Sequence, residues 1–175
     1  MASVEPTLAA RVYAAAHLEG EFLLRSGVVS NEYFDKYRFE ADPVLLRDIA
    51  AGMAPLVPAD AQLLGGLELG GVPLATVVSQ LTGTPARFVR KEAKSYGTMR
   101  LAEGGDLAGF RICLIEDVIT SGGAVIDATH ALREEGATVA TVVCVIDRQS
   151  GGREKLAELG LEMRALFTKA DLEGA

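Results

Sequence analysis

The chain predicts an α/β fold: a central parallel sheet flanked by helices, with a small N-terminal hood. Three observations carry this reading. Between residues 62 and 167, apolar runs of strand length alternate with segments whose apolar residues recur at helical spacing. Runs such as 139–146 are apolar almost throughout, as strands covered on both faces must be. The first 40 or so residues fall outside that rhythm, so they are expected to stand over one end of the sheet. At 175 residues, 49% hydrophobic and 23% charged, the chain suits a single domain, 1–175, with an ample core.

Residues 7–18 carry Leu8, Val12, Ala15 and Ala16 at helical spacing, with Pro6 before them and Gly20 after. Residues 21–25 and 33–37 read as two short strands around a polar loop. Asp42-Pro43 is a helix start, the acid as N-cap and the proline in the first turn, with the helix running to about 56. Strands are then expected at 62–66, 86–90, 111–115, 138–146 and 162–167. Helices are expected at 72–82, 122–135 and 153–159. Ligands of an open parallel sheet sit beyond the carboxyl ends of its strands. Four segments lie on that rim: 68–71, 91–105, 116–123 and 147–148.

The most informative of these begins in the run Ile112-Cys113-Leu114-Ile115, meets Glu116 and Asp117, and turns through Thr120-Ser121-Gly122-Gly123 into a helix. Glycines let the backbone approach a ligand closely, and the amides of a first helical turn point at a bound anion. Thr120 and Ser121 add hydroxyl donors. Phosphates disfavour adjacent carboxylates, whereas sugar hydroxyls accept them as partners. The stretch therefore reads as a site for a phosphorylated sugar, with Glu116 and Asp117 facing the ribose and the turn holding its phosphate.

Leu114-Ile115-Glu116-Asp117-Val118-Ile119-Thr120-Ser121-Gly122-Gly123 resembles the phosphoribosyl pyrophosphate (PRPP) motif of type I phosphoribosyltransferases. The resemblance implies that fold, with PRPP held by Glu116, Asp117, Val118, Ile119, Thr120, Ser121, Gly122, Gly123 and Ala124. Arg90-Lys91-Glu92-Ala93-Lys94-Ser95-Tyr96 resembles the mobile catalytic loop of orotate phosphoribosyltransferases. It implies that Arg90, Lys91, Lys94 and Tyr96 serve the pyrophosphate, with Lys94 catalytic beside Glu116 and Asp117 and acting across a homodimer interface. Glu68-Leu69-Gly70-Gly71 resembles the family's pyrophosphate loop. Residues 24–35 resemble its hood and Arg148 matches the arginine that pairs with the base's carboxylate, so the resemblance implies Arg25, Phe34, Thr120 and Arg148 as orotate contacts. The implied cofactor is Mg2+, held through PRPP and water without a protein side chain as direct ligand. Four positions depart from the common pattern: Arg25 and Gly70 where lysine is frequent, Tyr96 for histidine, and Glu116 for aspartate.

A net charge of −7 argues against a general nucleic-acid binder. Yet Arg87, Arg90, Lys91, Lys94 and Arg100 cluster with Glu92 as the only acid among them, which suits a small polyanion. No apolar run reaches the roughly 20 residues of a membrane span, and residues 1–7 lack signal-peptide character, so a cytoplasmic location is expected. Cys113 and Cys144 lie in apolar runs and read as buried reduced thiols. His17 and His130 are expected on helices as structural or surface residues. Two alternatives are a purine phosphoribosyltransferase and a PRPP-sensing regulator on the same fold. Arg148, suited to an acidic base, and Thr120, where 6-oxopurine enzymes usually carry aspartate, disfavour the first. The lack of a basic face disfavours the second.

Overall fold

The computed structural model describes residues 6–23, 27–91 and 101–175. Helix α1 (Leu8–Ala16) opens with Thr7, whose hydroxyl accepts from the Ala10 N–H. It ends two residues before the expected 18, because strand β1 (His17–Leu23) begins there and pairs antiparallel with β2 (Val29–Phe34). His17, expected on a helix, is therefore a strand residue. Its ring stacks on Tyr13 at 4.8 Å, and its Nε2 lies 3.0 Å from Glu32 Oε2. The second strand stops at Phe34 rather than running to 37. The Asp35 carboxylate accepts from the Tyr37 N–H and turns the chain into α2 (Tyr37–Ala41), five residues too few for a helical period to register.

Helix α3 (Pro43–Met53) starts as expected, Asp42 Oδ1 accepting from the Val44 and Leu45 N–H groups at 2.9 Å. A 3-10 turn, Ala54–Leu56, continues it to the expected end. Then follow β3 (Leu63–Leu67), α4 (Gly71–Thr82), β4 (Ala86–Val89), β5 (Ala102–Glu103) and β6 (Arg111–Ile119). The remaining elements are α5 (Gly123–Glu134), β7 (Thr138–Asp147), α6 (Gly152–Glu158), β8 (Glu162–Thr168) and α7 (Lys169–Glu173).

The six-stranded sheet runs β5-β4-β3-β6-β7-β8. It is parallel except for β5, which pairs antiparallel with β4. That two-residue strand was expected to be loop. Successive side chains alternate between the sheet's two faces. Leu63, Ile112 and Leu114 thus join Val125, Leu132 and Leu156 in one core layer. Leu64, Cys113 and Ile115 join Leu74, Val78 and Ile49 in the other, together with Val12, Ala16 and Phe39 from the N-terminal segment. The chain leaves β3 towards β4 and returns to β3's other side as β6, so strand order reverses between β3 and β6. A ligand crevice opens at such a reversal. Glu68–Gly71 follows the end of β3, and residues 116–123 form the last part of β6 and the turn after it, so topology alone brings them side by side.

Candidate active site

Strand β6 runs four residues further than its apolar pattern suggested and carries the acid pair within it. Glu116 Oε1 accepts from the Asp117 N–H at 2.9 Å, and Asp117 Oδ1 accepts from the Val118 N–H. The chain then turns through Thr120 and Ser121 to Gly122, whose φ of +78° is the left-handed conformation glycine adopts without strain. Gly122 caps α5 with no side-chain hydrogen bond, leaving the first-turn amides without helical acceptors. Over them lies a cavity of about 140 Å³ lined by Glu116, Val118, Ile119, Thr120, Ser121, Gly122, Gly123, Ala124 and Val125. Hydroxyls, amides and the positive end of a 12-residue helix on one wall, with a carboxylate beside them, make a seat for a phosphate next to a polyol.

The two acids have different surroundings. Glu116 opens onto that cavity, whereas Asp117 is fully buried under α2. Lys36 Nζ lies 2.6 Å from Asp117 Oδ2 and 5.3 Å from the centre of the Tyr37 ring. Glu40, also buried, faces the same carboxylate. A Cβ on Gly70 would overlap Asp117 Oδ2 and stand 2.6 Å from Glu40 Oε1, so the glycine makes room for both. Burial resists ionisation of Asp117, but hydrogen bonds from Glu116 and Lys36, with the Lys36 charge, hold its carboxyl below the ordinary range. Burial and the Asp117 charge push Glu40 up to about 8. Burial, then the bond to Asp117 and its charge, pushes Glu116 well above the ordinary range. Burial also disfavours the Lys36 ammonium, yet the bond to Asp117 and its charge outweigh this and raise its pKa.

A second cavity, about 360 Å³, lies between the hairpin and the ends of β7 and β8. Phe34 and Arg148 line it, with Tyr13, His17, Glu32 and Lys169 among its other walls. Asp147 shapes the β7 end, accepting from the Gln149 N–H at 2.8 Å and from Arg153 at 3.0 Å. The Arg148 N–H donates to Ile119 O at 2.9 Å, so the two cavities adjoin through the β6 and β7 ends. Thr120 lines the first cavity, so the expected orotate contacts are divided between the two.

At the end of β4, Arg90 Nε donates to Glu103 Oε1 at 3.3 Å, and the Lys91 N–H donates to Glu68 Oε1 at 2.8 Å. The basic segment thus leaves the sheet beside the Glu68–Gly71 loop, where the Glu68-Leu69 peptide is cis. Arg25, Lys94 and Tyr96 lie outside the described residues. Cys113 and Cys144 are buried free thiols, Cys113 pushed up to about 12 by burial. No helix among the described residues is long and apolar enough to cross a membrane.

Sequence reasoning missed Lys36 and Glu40. Lys36 stands in a charged run that reads as solvated surface, and Glu40 belongs to a helix too short to announce itself. Only their distance from Asp117, set by chain reversal through α2, marks them.

Residues 62–159 match the phosphoribosyl transferase domain family. The chain is 60% identical over 173 residues to the orotate phosphoribosyltransferase of Nocardioides sp. strain JS614, covering 99% of this chain and 97% of that one. It is 44% identical over 155 residues to that of Methanocella arvoryzae, covering 89% of each chain. Among solved structures it is similar to Mycobacterium tuberculosis orotate phosphoribosyltransferase in complex with PRPP. There the TM-score is 0.81 at 31% identity, covering 95% of this chain and 96% of that one.

Proposed function

The chain belongs to the orotate phosphoribosyltransferases, and from that membership and the β6–α5 geometry we infer its reaction. It transfers the 5-phosphoribosyl group of PRPP to orotate, giving orotidine 5'-monophosphate and pyrophosphate in pyrimidine biosynthesis. The observation that carries this is a buried acid pair at the sheet's reversal point, directly before a hydroxyl-and-glycine turn with its own cavity.

The bond from ribose C1 to the pyrophosphate oxygen breaks, its electron pair leaving with the pyrophosphate, and orotate N1 bonds to C1. Orotate reacts as its anion, so no protein base is required. The developing sugar cation must be shielded from water and the departing charge stabilised. The turn from Val118 to Ala124 holds the 5'-phosphate, while Glu116 and Asp117 orient the ribose hydroxyls. Arg90, Lys91, Lys94 and Tyr96 serve the pyrophosphate, and Lys94 supplies charge as it departs. Arg148 pairs with the orotate carboxylate by its planar fork, with Phe34, Thr120 and Arg25 around the base. What supports the base site is the meeting of Phe34 and Arg148 in one cavity that adjoins the turn.

Magnesium fits this donor set, since Glu116, which lines the cavity, would order the water of a cation carried by PRPP oxygens. Bound there, the ion neutralises pyrophosphate charge. The reading extends to a cytoplasmic homodimer whose Lys94 serves the neighbouring site, with 1–175 as one catalytic domain. Mixing the protein with PRPP, magnesium and a panel of bases tests the assignment. Loss of ultraviolet absorbance with orotate is expected; turnover of a purine with none of orotate would overturn it.

A further inference from the structure

The Asp117 environment assigns work to two residues outside every motif above, and this inference rests on the proposed reading of Asp117 as a ribose-facing acid. We propose that Lys36 and Glu40 are positioning residues of the ribose site, clamping Asp117 through an ion pair and one proton shared between two carboxyls.

Among the described residues, Glu40 Oε1 is a buried side-chain oxygen with no hydrogen-bond partner, while the fully buried Asp117 Oδ2 has the Lys36 ammonium 2.6 Å away. Both crowd the space where a Gly70 side chain would be. Two carboxylates in one dry pocket cannot both ionise, and buried oxygens left unpaired are costly. One proton resolves both problems: Glu40 carries it and donates to Asp117, which stays ionised against Lys36, 2.6 Å away. The remaining groups facing the cluster fit this arrangement. Asp35 adds negative charge beside Glu40, Tyr37 borders Lys36, and Glu116 and Cys144 approach from the sheet. Burial keeps the Cys144 thiol protonated. The junction joins three separate segments: the start of α2, the Gly70 loop and β6. Asp117 is therefore aimed only while α2 is docked.

The test measures PRPP affinity by calorimetry, with magnesium and without orotate, across neutral and alkaline pH. It uses the wild type, Glu40→Gln, Glu40→Leu and Lys36→Met, with thermal melts as the folding check. Glutamine supplies the donor that protonated Glu40 supplies, so Glu40→Gln is expected to bind PRPP within about threefold of wild type at neutral pH. Glu40→Leu, of similar size without a donor, and Lys36→Met are each expected to weaken binding about tenfold or more. Wild-type affinity should fall as pH rises through about 8, where Glu40 ionises, while Glu40→Gln holds its affinity there. Equal binding by Glu40→Gln and Glu40→Leu, an unchanged Lys36→Met, or the same alkaline loss in wild type and Glu40→Gln would each overturn the proposal. If Glu40→Leu does not fold, the alkaline comparison decides alone. A wild type that binds no PRPP would count against the functional reading instead.

Discussion

Glu40 holds a proton at neutral pH because burial and the adjacent Asp117 charge push its carboxyl up to about 8. In the unfolded chain the same group ionises near 4.5, so between these values the folded state binds more protons. That contribution to stability is fully present below 4.5 and is lost as pH rises through about 8. The melting temperature of Glu40→Gln minus that of wild type should therefore rise across this window and level off above it. A difference that stays constant with pH would show that Glu40 does not hold its proton. Arg148 works by another rule, since its fork is an always-charged partner for a carboxylate. Arg148→Ala should raise the orotate KM by an amount equivalent to about 2 kcal/mol, roughly thirtyfold, and leave the PRPP KM nearly unchanged. Steady-state kinetics with each substrate varied in turn would check this.

At the scale of elements, the site depends on how β6 becomes α5. The turn closes because Gly122 takes a φ of +78°, where an L side chain is strained. Gly122→Ala should cost about 1–2 kcal/mol of stability. It should also weaken PRPP binding, because the strain falls on the amides proposed to hold the phosphate. Thermal melting with and without PRPP measures both effects, and a variant that matches wild type in each would refute the role of the turn. The long elements were legible in sequence for a simple reason. Strands such as β7 are covered on both faces and α3 is capped by Asp42-Pro43, so burial and capping write themselves into the residue pattern. Elements such as α2 and β5 left no such mark. At five and two residues, their place follows from what they pack against.

For the whole molecule, the sheet reversal between β3 and β6 brings the Glu68–Gly71 loop, the acid pair and the hydroxyl-and-glycine turn to one crevice. The basic segment leaves β4 beside them, with the Lys91 amide held by Glu68. Lys94→Ala should keep PRPP binding largely intact while lowering turnover by about two orders of magnitude or more, as loss of one electrostatic stabiliser does. If Lys94 serves a neighbouring protomer, mixing inactive Lys94→Ala with inactive Asp117→Asn should restore activity by forming sites with both residues intact. Mixtures that stay inactive after subunit exchange would count against the cross-protomer role.

The residue order by itself determined the alternating architecture, the hydroxyl-and-glycine turn with its acid pair, and the run of basic residues from Arg87 to Arg100. These are local patterns, set by periodicity, capping and the needs of a turn. Which acid opens to the cavity and which lies covered, and that Lys36 and Glu40 cover it, only the tertiary structure decided. Such contacts join residues about eighty positions apart, and no periodicity in the chain records a distance that folding alone creates.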